Sequence, residues 1–280
     1  MNNFVRRTLT GAWIVVFVLG GFWLHPVSFF LTGLIILAGA QYEYYRMIEG
    51  TGVKVQMITG ILAGVTAYTI STFVASGSIS PTLYLVLIPV MLFMMAAELY
   101  RKQEKPFDSL AHTLFSILYI AVPFCLFPFS AYSHTGLDTL LPHSRTTFSP
   151  GIVVGFFILL WANDTGAYLT GMTLGRHRLM ERISPKKSWE GFIGGVLLSV
   201  IIACLLSEWL GEVNTFKWII ISVLISVTGT YGDLVESMLK RSIGLKDSGN
   251  IMPGHGGFLD RFDSTVMSFP IVYLFILLFG

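Results

Sequence analysis

Apolar runs too long for most water-soluble folds recur along this chain: GAWIVVFVLGGFWL, FFLTGLIILAGA, VVGFFILLWA and FPIVYLFILLFG. A backbone surrounded by lipid must satisfy its hydrogen bonds within the segment, so such runs are accommodated as membrane-crossing helices. Of the 280 residues, 54% are hydrophobic and 12% charged, against about 25% charged in an ordinary soluble domain. A cleaved leader would explain one run near the start, but Arg6 and Arg7 precede a segment without a convincing cleavage site, and it reads as a retained helix. The expected fold class is all-α: a polytopic integral membrane protein with about nine transmembrane helices, near residues 9–24, 27–45, 56–74, 82–99, 109–129, 149–170, 190–209, 217–238 and 263–280.

The basic residues orient these helices. With the amino terminus in the cytoplasm, sixteen of the eighteen lysines and arginines fall on the cytoplasmic side, all but Arg145 and Lys217. That is the asymmetry of the positive-inside rule, and it also explains many of these residues simply as contacts for anionic membrane phospholipids. Polar residues are unevenly spread. Residues 1–148 read as an amino-terminal transmembrane scaffold with few buried charges, and 149–280 as a catalytic transmembrane region with cytoplasmic motif loops. Cys125 and Cys204 lie inside apolar segments and read as structural thiols, with neither a disulfide framework nor a CxxC metal site.

Three polar constellations interrupt the second region. Asn163 and Asp164 sit mid-segment in GFFILLWANDTGAYLTGMTLG, where an ionised aspartate is costly and is expected to face the bundle interior. Gly166, Gly171 and Gly175 beside them suit tight helix packing or close approach of a ligand. In SPKKSWEG, Ser184 opens a turn with Pro185, Lys186 and Lys187 supply two ammonium groups, and Ser188 is placed to cap a following helix. A capped helix start with lysines suits phosphate, although the glycine run of a Walker motif is missing. On helical spacing, Asp233, Glu236 and Lys240 share one face. Beyond them come Arg241, Lys246, Asp247, His255 between Gly254 and Gly256, then Gly257, Asp260, Arg261 and Asp263. Asp233, Asp260 and Asp263 offer hard oxygen donors suited to one Mg²⁺ or to a pair of cations, with the basic side chains offsetting phosphate charge. The same charges also fit a self-neutralising network at the membrane surface, though that leaves the glycine density unexplained.

The spacing of Ser237, Leu239, Lys240, Arg241, Lys246, Asp247, Gly249, Pro253, His255, Gly256, Gly257, Phe258, Asp260, Arg261, Phe262 and Asp263 resembles the signature of the phosphatidate cytidylyltransferases, the CDP-diacylglycerol synthases. Met252 departs conservatively from the leucine, isoleucine or phenylalanine of that pattern. Asn163-Asp164-Thr165 with Ala167, Tyr168 and Gly171, and Ser184 through Gly191, resemble the family's other polar motifs. The resemblance implies condensation of CTP with phosphatidic acid at the cytoplasmic face, giving CDP-diacylglycerol and pyrophosphate. It implies Mg²⁺ held by Asp233, Asp260 and Asp263, nucleotide contacts from Lys186, Lys187 and Ser188, and a homodimer. No nucleic-acid partner is expected, and the compact loops fit a bacterial inner membrane. A secondary transporter is the rival reading, since Asn163 and Asp164 among glycine-interrupted helices would also suit a substrate path.

Overall fold

The computed structural model describes residues 3–134, 146–245, 248–249 and 257–279. Among these, the helices are α1 (Asn3–Leu24), α2 (Pro26–Glu49), α3 (Met57–Ala75), α4 (Leu87–Arg101, entered through the 3-10 turn Pro81–Val86), α5 (the interrupted span Pro106–Ala131), α6 (Gly151–Leu174), α7 (Trp189–Leu210), α8 (Thr215–Ser242) and α9 (Leu259–Phe279). Among the described residues, eight spans are long and apolar enough to cross a membrane; in α1 the apolar part is the shorter stretch Thr10–Leu24. The all-α, polytopic expectation is borne out. Two short antiparallel ribbons, β1 (Tyr132–His134) with β2 (Thr146–Phe148) and β3 (Arg178–Met180) with β4 (Ser184–Ser188), lie in connections, where pairing satisfies backbone groups outside the helices. Helix α9 begins at Leu259 rather than near residue 263. Asp260 and Asp263 therefore both fall in its opening turns.

The chain divides into two compact units, Met1–Pro150 with Asp247–Arg261, and Gly151–Lys246 with Phe262–Gly280. In the first, α1 and α2 are separated by His25 alone. Its extended backbone and Nδ1, which accepts the Val27 amide at 3.1 Å, cap α2, while Pro26 at the first helical position needs no amide partner. Packing then relies on small residues against large ones: Gly33 lies under Tyr68, Gly60 under Tyr45 and Gly64 under Gln41, so helices α2 and α3 approach closely. Pro123 in α5 has no amide to return to the preceding turn, and the stretch before it, Ile117–Ala121, widens into a π-helix.

This unit also buries charge that the sequence reading did not anticipate. Glu98, 4% exposed, receives Arg101 Nη1 at 2.8 Å and Gln56 Nε2 at 2.6 Å. Arg101 also donates to Ser109 Oγ and to the carbonyls of Lys54 and Val55, each at 3.0 Å. Arg101 thus joins α4 to the connection before α3 and to the start of α5, a role that positive-inside counting does not reveal.

In the second unit, α6 and α7 cross on glycine. A Cβ at Gly166 would lie 2.7 Å from the Gly194 carbonyl, and one at Gly191 would lie 2.9 Å from that of Ala167. Gly166 and Gly191 are therefore explained by helix packing. Gly232 has the same function between α8 and α9, where a Cβ would sit 2.8 Å from the Asp263 carbonyl and 2.9 Å from Ser264 Cα. Buried Trp218 of α8 covers Gly155 of α6.

Arg101→Ala is expected to destabilise the detergent-solubilised protein by about 3 kcal/mol, the scale of leaving a buried charge partner unpaired. An unchanged thermal midpoint would show that Glu98 is compensated elsewhere.

Candidate active site

The contact at Gly232 brings three carboxylates together in the second unit. Asp233 and Glu236 lie one turn apart on α8, and Asp263 faces them from α9; each offers an oxygen within 4.8 Å of the others. Glu236 is fully buried and Asp263 is 8% exposed. Like charges this close oppose one another, and the exposed Asp164 adds its field at Asp263. Two lysines answer part of the charge. Lys187 Nζ, carried by β4, is 2.6 Å from Asp233 Oδ2, while Lys240 pairs with Glu236 one turn further along α8. Ser237 Oγ also donates to Asp233 Oδ1 at 3.2 Å, and Asp263 Oδ1 accepts the Ser264 amide at 2.5 Å. Three convergent hard-oxygen donors, with charge only partly offset by lysine, fit a divalent cation such as Mg²⁺ that completes its shell with water and phosphate. Neither cysteine nor histidine belongs to this group, so the donor set differs from that usual for zinc.

Glu236 is thus part of the acidic group, although the sequence reading placed it only on the face of Asp233. The Lys187–Asp233 pair sets the connection after α6 beside the carboxyl-terminal half of α8. This agrees with topology, because the α6–α7 and α8–α9 connections are two crossings apart and share a side.

The first unit holds the other end of the signature. Asp260 Oδ2 accepts the amides of Gly257 at 2.9 Å and Ser248 at 3.1 Å. Beside it, Glu43 of α2 is 2% exposed, and its Oε2 accepts the Leu259 amide at 2.9 Å and Ser248 Oγ at 3.3 Å. A Cβ at Gly249 would lie 2.8 Å from Glu43 Oε1, and one at Gly257 would collide with Oε2. These two glycines leave room for a carboxylate that sequence reasoning missed. The available signal was an acid in the apolar run of α2, but Glu43 stands near Arg46 and Glu49 and so resembled the charged end of a helix.

The remaining candidates are spread more widely. Asn163 is 4% exposed and packs with its Oδ1 toward Gly195, whereas Asp164 is exposed rather than turned inward as expected. Ser188 caps α7 as anticipated, accepting the Gly191 amide at 3.1 Å, and the Trp189 amide goes to the His177 carbonyl at 2.9 Å. The Trp189 and Gly191 amides at this helix start are therefore engaged within the protein. Glu190 accepts the backbone amides of Arg176 and His177 and closes the ribbon onto the helix start. Ser184 is half-buried on β4, and Lys186 and Arg261 are exposed. Arg241 Nη1 donates to the Leu245 carbonyl at 3.2 Å. Lys246, Asp247, His255 and Gly256 lie outside the described residues.

A model of the cytidylyltransferase family matches residues 5–279. Among curated proteins, the phosphatidate cytidylyltransferase of Staphylococcus haemolyticus (strain JCSC1435) is 34% identical over 194 residues, covering 68% of both chains. That of Staphylococcus aureus (strain COL) is 35% identical over 195 residues, with the same coverage of each chain.

Gly232→Ala is expected to force α8 from α9 and weaken divalent-cation binding by roughly tenfold, the effect typical of disturbing the support of metal ligands. Titration with Mn²⁺ monitored by electron paramagnetic resonance would measure it, and wild-type affinity in the variant would count against the close contact setting the carboxylate geometry.

Proposed function

Because the chain belongs to the cytidylyltransferase family, we propose that it condenses CTP with phosphatidic acid to give CDP-diacylglycerol and pyrophosphate. The observation that carries this reading is the convergence of Asp233, Glu236 and Asp263 beside Lys187 and Lys240 in a chain whose bacterial relatives bear that activity in their names.

Phosphatidic acid already carries an anionic phosphate oxygen, so its attack on the α-phosphorus of CTP needs no strong protein base. The new phosphorus–oxygen bond forms as the bond between the α- and β-phosphates breaks, and pyrophosphate leaves with its electron pair. The transfer is direct, without a cytidylyl-enzyme intermediate. Repulsion between two anions is the main obstacle. Asp233, Glu236 and Asp263 would hold Mg²⁺, with Asp260 a further ligand by its place in the signature; when bound, the cation would supply Lewis-acid stabilisation of phosphate charge. Lys187, Lys240, Arg241, Lys246 and Arg261 would offset the charge of the substrates and the leaving group. Nucleotide contacts are assigned to Asn163, Asp164, Ser184, Lys186, Ser188, Gly256 and Gly257, and hydrogen-bonding roles to Asp247 and His255.

A site at helix ends suits both substrates, since diacyl tails remain in lipid while CTP arrives from water. The distribution of sixteen of the eighteen basic residues supports a cytoplasm-facing site in a bacterial inner membrane. A homodimer completes the reading.

With purified protein, Mg²⁺, labelled CTP and phosphatidic acid, the expected products are CDP-diacylglycerol and pyrophosphate. Omission of phosphatidic acid or chelation of Mg²⁺ should abolish their formation, and ATP should not replace CTP. Asp263→Asn should remain membrane-inserted and lose at least roughly 100-fold in turnover, the scale of removing charge stabilisation from a transition state. Unaltered CTP after incubation of the wild type, or full turnover by Asp263→Asn, would overturn the reading.

A further inference from the structure

We infer that Glu43 is a positioning residue for the signature loop, tying its two flanks together and thereby fixing Asp260. The inference rests on the proposed role of Asp260 as a metal ligand. Glu43 belongs to α2, more than 200 positions earlier in the chain than its partners Ser248 and Leu259. Its Oε2 accepts the Ser248 hydroxyl before residues 250–256 and the Leu259 amide after them. Ser248 then donates its own amide to Asp260, which also accepts the amide of Gly257. Ser248 is consequently shared: its side chain goes to Glu43 and its backbone to Asp260.

Burial makes this arrangement informative. A carboxyl group that is 2% exposed is costly to bury without donors, and an apolar side chain could fill space in α2 without that cost. The donors Glu43 uses come from the two flanks of the signature stretch: the Ser248 hydroxyl on one side and the amide of Leu259, the first residue of α9, on the other. Gly249 and Gly257 lack the Cβ atoms that would displace its carboxylate. The arrangement is that of an outer group orienting a ligand through hydrogen bonds. Glu43 belongs to the part of the chain read as scaffold, yet its fixed donors lie in the signature.

Hydrogen–deuterium exchange of the purified full-length protein, measured without substrates or metal, tests the positioning directly. In Glu43→Ala, the amides of Ser248, Gly257 and Leu259 should exchange about tenfold faster, as expected for local opening, while α3 and α7 keep wild-type protection. Glu43→Gln retains an oxygen acceptor and should stay close to wild type at those amides. The Mg²⁺ concentration for half-maximal CTP consumption should rise roughly tenfold in Glu43→Ala, in line with outer-group effects on metal affinity, with Glu43→Gln again near wild type. Unchanged protection of the three amides in Glu43→Ala would overturn the inference, as would protection lost equally throughout the chain. Failure of the wild type to form CDP-diacylglycerol would instead overturn the proposed reaction, with exchange still deciding whether Glu43 holds the loop.

Discussion

The close approach of α8 to α9 at Gly232 is the contact on which the carboxylate group depends. It sets Asp263 against Asp233 and Glu236 within one small, largely buried volume. Three carboxylates this close repel one another, and Glu236 and Asp263 are buried, so compensating charge or a bound proton stabilises the arrangement. Lys187 and Lys240 provide part of it. A divalent cation and its phosphate ligands would make further use of the same donors, so the acidic group suits a site where charge is brought in by substrate binding.

The glycines do different jobs in different places. Gly166, Gly191 and Gly232 let helices approach where a methyl group would strike a backbone. Gly249 and Gly257 make room for the Glu43 carboxylate. Gly166, Gly191 and Gly232 lie within helices, without the positive φ that often explains a glycine in a turn. The property all five share is the absence of Cβ, and the neighbour each one admits determines its role.

Much of the architecture was legible because lipid imposes one strong rule on the backbone. Segments α6 to α9 follow directly from apolar length, and the helical spacing of Asp233, Glu236 and Lys240 already placed them on one face of α8. The four short strands were not legible, since they lie in polar connections where hydropathy carries no period. Pairings distant in sequence were also hidden: nothing in SPKKS indicates that Lys187 meets Asp233, and nothing in QYEYY indicates that Glu43 meets Ser248 and Leu259. Asp164 shows the converse limit. A charge in the middle of an apolar segment predicts an inward side chain, but this carboxylate is exposed while Asn163 takes the buried position.

Asp233, Glu236 and Asp263 are grouped closely enough to hold one cation. Diffraction from crystals of the protein grown with Mn²⁺ and measured for anomalous scattering would locate the metal directly. An anomalous peak is expected within coordination distance of oxygens from Asp233, Glu236 and Asp263, lost in crystals of Asp263→Asn. Mn²⁺ bound elsewhere, with these three carboxylates engaged only by lysines, would contradict a cation site here.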